Sequence, residues 1–155
     1  MTRRHWVAVA IAVGAMMLAA AAPLWVRVTG DEAFLQIEPV DPRSFFRGNY
    51  VDLNYSLGDL DDAVYRLEDG STFYAVFTHG RPAEPVSVHT SRPKLVSGQF
   101  CIAGQARNGP RFPSLEQYFL PTDQAQALER NVGRQLARIS VTGRCSAVLI
   151  DIVAA

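Results

Sequence analysis

The stretch that decides the fold class is Arg43-Ser44-Phe45-Phe46-Arg47-Gly48-Asn49-Tyr50-Val51-Asp52-Leu53-Asn54-Tyr55. Its Gly-Asn pair indicates a turn, because Gly adopts positive φ freely and Asn tolerates it better than most residues. After this pair, apolar and polar residues alternate, which is typical of a β-strand with one buried face. The alternation predicts an inner face with Val51, Leu53 and Tyr55 and an outer face with Tyr50, Asp52 and Asn54. By spacing alone, the stretch is the entry to an ordinary hairpin.

The rest of the chain is predicted to be mainly β. Alternating and aromatic segments predict an antiparallel sheet or barrel-like domain, with further strands at residues 33–40, 71–78, 85–90, 95–107, 135–142 and 145–153. One short helix is predicted at residues 122–131, because Asp123 and Gln126 can form a capping box and Gly133 can end the helix. Residues 63–67 fit either a short helix or a strand, and residues 108–113 are predicted to form a loop.

An apolar segment precedes the β region. Residues 6–26 are uncharged, and as a helix they span about 32 Å, which matches the roughly 30 Å hydrocarbon core of a bilayer. Arg3 and Arg4 stand before this segment, so the positive-inside rule predicts a cytoplasmic N-terminus and an extracytoplasmic remainder. Trp6 and Trp25 lie at its two ends, where aromatic rings prefer the membrane interface.

The alternative to a retained anchor is a cleaved signal peptide, since residues 19–22 are small enough for a cleavage site. However, Pro23 lies beside the best cut positions, and the apolar run continues to Val26. A cleaved signal usually has an apolar core of about 7–15 residues, so length favours a retained anchor. The predicted organisation is a single-pass anchor at residues 1–29 and an extracytoplasmic β-rich domain at residues 30–155.

Charge and cysteine content limit the classes of function. Fifteen basic residues balance fifteen acidic ones, so no overall field attracts nucleic acid, and none is expected as a partner. Cys101 and Cys145 fall on predicted strands of an exported domain, where they form either a disulfide or two buried thiols. His79 and His89 have no Cys or carboxylate at ligand spacing, so we predict neither a metal site nor a cofactor.

A Ser/Lys hydrolase is one alternative function. Residues 47–51, following an anchor, weakly resemble the Arg-Gly-Asp strand of bacterial signal peptidases. The nucleophile would have to be Ser44 or Ser56, and the base could only be Lys94. An unpaired Lys is a poor base at neutral pH unless burial lowers its pKa. This weakness favours a non-catalytic protein.

The opening stretch also resembles the signature of the GDYXXLXY family of bacterial membrane-anchored proteins. The matching positions are Gly48, Tyr50, Leu53 and Tyr55, together with Asn49, which keeps the turn but replaces the family's usual Asp. Upstream, residues 41–43, which end at Arg43, also resemble the family's sequence. Further along the chain, residues 115–121 resemble the family's Glu-x-Tyr-Phe segment. With the N-terminal anchor, the resemblance covers nearly the whole chain. It implies relatives in the bacterial inner membrane but no particular reaction.

The family resemblance implies a polytopic membrane protein as partner, because relatives are often encoded beside large membrane proteins. We therefore expect a non-catalytic, membrane-anchored domain that binds or supports such a protein. A patch of Arg47, Tyr50, Glu116 and Tyr118 is the hypothesised contact surface, since Arg and Tyr are frequent interface anchors. The alternative is that Tyr50 and Tyr118 form hydrogen bonds within the domain. The residues predicted to build the fold are Arg43, Gly48, Asn49, Leu53 and Tyr55. A lipid- or glycan-binding module is a further alternative, and it requires an apolar pocket.

Overall fold

The computed structural model describes residues 3–38, 46–47, 50–119 and 135–155. Within these ranges, one long helix is followed by short strands. The helices are α1 (Arg3–Thr29) and α2 (Asp61–Tyr65), and a single 3-10 turn at Gly58–Leu60 precedes the second. The strands are β1 (Asp31–Gln36), β2 (Phe46–Arg47), β3 (Tyr50–Asp52), β4 (Thr72–Thr78), β5 (Glu84–His89), β6 (Gln99–Ala106), β7 (Pro110–Arg111), β8 (Gln117–Phe119), β9 (Gln135–Val141) and β10 (Ala147–Ala154).

Helix α1 is apolar along its length. The segment His5–Thr29 has a mean hydropathy of 2.3 and is not buried inside the protein. Its exposed side chains include Ile11, Leu18 and Trp25. A long exposed apolar surface is the pattern of a helix that lies in an apolar environment. By length and composition, α1 can cross a membrane once.

The strands form three antiparallel sheets. In the first, β9 lies between β1 and β10. In the second, β3 lies between β2 and β8. In the third, β4 lies between β5 and β6, and β7 extends the sheet from β6. Asp31 of β1 pairs with Val141 of β9, so the turn between β9 and β10 lies beside the end of α1.

Edge contacts connect the first and third sheets around a common core. The Ala83 amide donates to the Phe34 carbonyl at 2.7 Å, and the Ala103 amide donates to the Cys145 carbonyl at 2.9 Å. Because these bonds close the edges of neighbouring sheets, the strands surround their buried side chains in the barrel-like manner that the sequence predicts. The largest fully buried side chains include Phe73, Phe112, Leu53, Leu57, Ile102, Leu115, Leu136 and Ile139.

The main features of the predicted fold are confirmed, namely antiparallel β structure, a short helix and an N-terminal apolar helix. Of the two alternatives for residues 63–67, the structure has a helix, although α2 begins and ends two residues earlier. The predicted strand at residues 71–78 corresponds to β4. The helix predicted at residues 122–131 lies outside the described residues.

Several boundaries differ from the predictions. The strand predicted at residues 95–107 begins only at Gln99, and the strand predicted at residues 33–40 corresponds to β1, which begins two residues earlier and ends at Gln36. The segment at residues 108–113 is not entirely a loop, because Pro110 and Arg111 pair with β6. The final strand begins at Ala147 rather than at Cys145. Cys145 instead lies in the β9–β10 turn with a φ of 61°, in the left-handed region that no strand residue adopts.

Candidate functional site

The last residues of the signature are embedded in the domain. The Leu53 amide donates to the Glu116 carbonyl at 2.8 Å, and the Glu38 amide donates to the Asn54 carbonyl at 2.9 Å. Leu53 and Asn54 therefore form backbone hydrogen bonds with two different segments of the chain. Leu53 is 1% exposed and Tyr55 is 6% exposed, whereas Asn54 is half-buried. The predicted alternation is confirmed at these three positions.

Tyr55 connects the signature to the segment before β8. Its hydroxyl donates to the Leu115 carbonyl at 3.0 Å. Its ring packs edge-on against Phe112, with the ring centroids 6.2 Å apart. Burial raises the pKa of the Tyr55 phenol, and the nearby negative charge of Glu116 raises it further. The phenol is therefore held neutral, as a hydrogen-bond donor within the core.

Glu116 was predicted to lie in a surface patch, and the structure places it partly inside. The residue is half-buried. Its Oε1 atom is inaccessible to solvent and has no hydrogen-bond partner among the described residues. A buried carboxylate oxygen without a donor is unfavourable. Sequence alone does not indicate this burial, because the residue that pairs with Glu116, Leu53, is distant along the chain.

The other predicted contact residues lie in the sheet formed by β2, β3 and β8. Tyr50 pairs with Arg47 on one side, and Tyr118 pairs with Val51 on the other. Glu116 directly precedes β8, so the backbone positions of all four predicted contact residues are close together. Three further signature positions, Arg43, Gly48 and Asn49, lie outside the described residues.

A polar contact beside the signature was not predicted. Arg111 Nη1 donates to Asn54 Oδ1 at 2.8 Å, and both side chains are half-buried. Together with Glu38 and Asp61 they line a cavity of about 120 Å³. The contact depends on β7, which brings Arg111 next to the signature and which the sequence pattern did not reveal.

The candidate nucleophile Ser56 has local partners. Its hydroxyl donates to Asp61 Oδ2 at 3.1 Å and accepts from the Gly58 amide at 2.8 Å. The same carboxylate accepts from the Leu57 amide at 2.9 Å, so the group stabilises the turn before α2. Lys94 is exposed between β5 and β6, and no hydrogen bond joins it to Ser56 within the described chain. Ser44 lies outside the described residues.

The two histidines of the domain lie apart from each other. The His79 ring lies 4.9 Å from the Phe100 ring, measured between centroids. His89 Nε2 lies 2.9 Å from Ser87 Oγ. In residues 3–38, 46–47, 50–119 and 135–155, no group of three or more His, Cys, Asp or Glu side chains is arranged to hold a metal ion.

Of the two alternatives for the cysteines, the structure has the disulfide. Cys101 and Cys145 are bonded, with their Cα atoms 4.6 Å apart. Both residues are buried. The bond fixes the β9–β10 turn to β6, and the hydrogen bond from the Ala103 amide to the Cys145 carbonyl lies beside it. The turn next to the end of α1 is therefore held to β6 by a disulfide and a hydrogen bond, both at Cys145.

The junction between α1 and the β domain is tightly packed, and we call Val26, Gly30 and Ser140 the joint. The Val26 carbonyl accepts from the Gly30 amide at 2.9 Å and from the Ser140 hydroxyl at 2.7 Å. A Cβ atom at Gly30 would lie 2.7 Å from the Val26 carbonyl oxygen and 2.9 Å from that of Val141. Only a glycine fits there without displacement. The joint is not apparent from the sequence, because 114 positions separate Val26 from Ser140.

Comparison with known proteins gives one match. The family model described as GDYXXLXY protein matches residues 12–152, which include the signature and most of α1 and of β10. No curated protein and no solved structure matches the chain. Since the matched region covers well over half of the sequence, the chain belongs to the GDYXXLXY family.

Proposed function

We propose that this protein crosses the bacterial inner membrane once through α1, with its β domain on the periplasmic side. The apolar length of α1 supports the crossing. Arg3 and Arg4 at its N-terminal end support a cytoplasmic N-terminus. The Cys101–Cys145 disulfide supports the location of the domain, because disulfides persist in oxidising compartments.

In this position the domain binds or supports a polytopic membrane protein and performs no reaction itself. The observation that carries this proposal is the joint. A simple tether needs only a flexible linker, whereas the joint fixes the orientation of the domain relative to α1. A fixed orientation is useful when a partner in the same membrane must meet both parts of the chain, because less entropy is lost on binding.

Two surfaces are proposed to meet the partner. The first is α1, whose apolar side chains are exposed along the helix. The second is the sheet of β2, β3 and β8, where the backbone positions of Arg47 and Tyr50 are paired. Leu53 and Tyr55 belong to the core and have no direct contact with the partner. In this proposal, Leu53 and Tyr55 of the signature serve folding, whereas Arg47 and Tyr50 serve docking.

Membrane topology is tested separately from partner binding. Carbonate-washed membranes are expected to retain the full-length protein, and protease added to spheroplasts should digest the β domain. A mature protein that begins near residue 22 would contradict the anchor. Digestion of the domain only after membrane rupture would contradict the proposed orientation.

Partner binding is tested by affinity purification of the tagged protein after detergent extraction. A polytopic membrane protein is expected to co-purify with the wild type. Four Gly/Ser residues inserted between Thr29 and Gly30 should release the partner, because they separate α1 from the sheet. The matched control is the same insertion between the exposed residues Val96 and Ser97, which should retain the partner. Equal recovery with both insertions would show that the joint does not orient the domain for docking.

A further inference from the structure

A groove of about 760 Å³ lies between the C-terminal half of α1 and the β9–β10 turn. One wall is helical and mainly apolar, and extends from Leu18 to Trp25 and beyond. The opposite wall is more polar, and includes Asp31 and Arg144. The volume of the groove falls within the range typical of binding sites for small ligands, about 300–1,000 Å³.

The depth of the groove follows from the proposed membrane crossing. Trp25 lies at the outer end of the apolar segment, level with the lipid headgroups. Leu18 lies about 11 Å deeper, because a helix rises by about 1.5 Å per residue. The groove therefore extends from the headgroup layer into the hydrocarbon layer. A phospholipid changes from polar to apolar over the same distance.

Two charged residues line the groove. Arg144 and Asp31 are both exposed, and neither forms an ion pair within the described residues. The β9–β10 turn that carries Arg144 is held in place, because Arg92 Nη2 donates to the Gly143 carbonyl at 2.7 Å. A guanidinium group and a carboxylate thus line the same groove. This pair is complementary to a headgroup that carries one negative and one positive charge.

We propose that the groove binds one molecule of phosphatidylethanolamine from the outer leaflet. The Arg144 guanidinium binds the lipid phosphate through charge-assisted hydrogen bonds, and the Asp31 carboxylate accepts hydrogen bonds from the ammonium group. An acyl chain lies along the helix between Trp25 and Leu18. Phosphatidylcholine lacks N–H donors and phosphatidylglycerol lacks the cation, so neither satisfies both side chains. The inference rests on the proposed anchoring, and is independent of the polytopic partner.

Native mass spectrometry of the full-length protein in detergent tests this site directly. The protein is supplied with equal amounts of phosphatidylethanolamine, phosphatidylcholine and phosphatidylglycerol. The wild type is expected to retain one molecule of phosphatidylethanolamine in preference to the other two lipids. Arg144→Gln should reduce its retention about tenfold, and Asp31→Asn should remove the preference over phosphatidylcholine. Arg66→Gln, at an exposed arginine after α2, is the matched control and should behave like the wild type.

Equal retention of the three lipids by the wild type would overturn the proposal, as would unchanged selectivity in Arg144→Gln and Asp31→Asn. Carbonate extraction of the same proteins separates this result from a failure of the anchor. A wild type that stays in membranes without selecting phosphatidylethanolamine would refute the groove alone. A wild type released from membranes would refute both the anchor and the groove.

Discussion

Ser140 on β9 donates its hydroxyl to the backbone carbonyl of Val26 in α1 at a distance of 2.7 Å. The same carbonyl also accepts the Gly30 amide, and a carbonyl oxygen has two lone pairs with which to accept both. Ser140 is buried, although it is polar, and this bond satisfies its hydroxyl. The end of α1 is consequently part of the packed domain and not a linker beside it.

Gly30→Ala should destabilise the protein by about 1–3 kcal/mol, the usual cost of overpacking. The added methyl group would displace the backbone carbonyls of Val26 and Val141. Gly14→Ala is the matched control, because no atom lies within 4 Å of a Cβ at that position. Thermal unfolding of the full-length protein in detergent measures the difference. Equal midpoints for the two variants would contradict the close packing of the joint.

Leu53→Ala should lower the free energy of unfolding by about 2–5 kcal/mol, since it leaves a cavity at a fully buried site. Tyr55→Phe should cost less, about 1–3 kcal/mol, because the buried Leu115 carbonyl loses its donor. Tyr74→Phe provides the control, as the half-buried Tyr74 hydroxyl has no hydrogen-bond partner in the described structure. Denaturant titrations rank the three variants. A Tyr55→Phe variant as stable as the control would refute the role of this hydroxyl.

Alkaline pH should weaken the fold through Tyr55. Burial and Glu116 raise its pKa in the folded state, whereas the unfolded phenol ionises near the ordinary value of about 10. Above this pH the folded state binds more protons than the unfolded state, so stability falls as pH rises, by at most about 1.4 kcal/mol per pH unit. Unfolding at pH 9 and pH 11 should show a smaller decrease for Tyr55→Phe. The same decrease in both proteins would contradict the assignment.

Loss of the disulfide should destabilise the domain by about 3–4 kcal/mol, because the bridge restricts the unfolded chain. The double variant Cys101→Ala/Cys145→Ala and the reduced wild type should melt at similar, lower temperatures. Thermal unfolding with and without a reducing agent makes the comparison. A wild type whose midpoint does not respond to complete reduction would show that the bridge contributes nothing.

The local parts of the fold were predictable from sequence. Alternation at Leu53, Asn54 and Tyr55 indicated a half-buried chain, and the structure buries the two apolar positions. The uncharged length of residues 6–26 indicated the helix α1. In both cases the signal lies within a few neighbouring residues, where the periodicity of helix or strand is directly visible.

The parts that depend on distant pairing were not predictable. The local pattern predicts a strand at Cys145, since nothing local indicates the left-handed backbone of its turn. Glu116, which is half-buried, pairs with the distant residue Leu53. Arg144 and Trp25 line the same groove although they are far apart in sequence. Such long-range contacts produce no local periodicity of apolar residues, so a single sequence does not reveal them.

The most direct test of the central claim is photo-crosslinking in intact membranes. A photoreactive amino acid is placed at Ile11, which is 68% exposed on α1, and separately at Tyr50 in the signature strand. Glu68, exposed after α2, serves as the control position. Ile11 and Tyr50 are both expected to form adducts with the same polytopic membrane protein, whereas Glu68 should form none. An anchored, folded protein that crosslinks only to lipid from both Ile11 and Tyr50 would contradict the claim that it docks onto a partner.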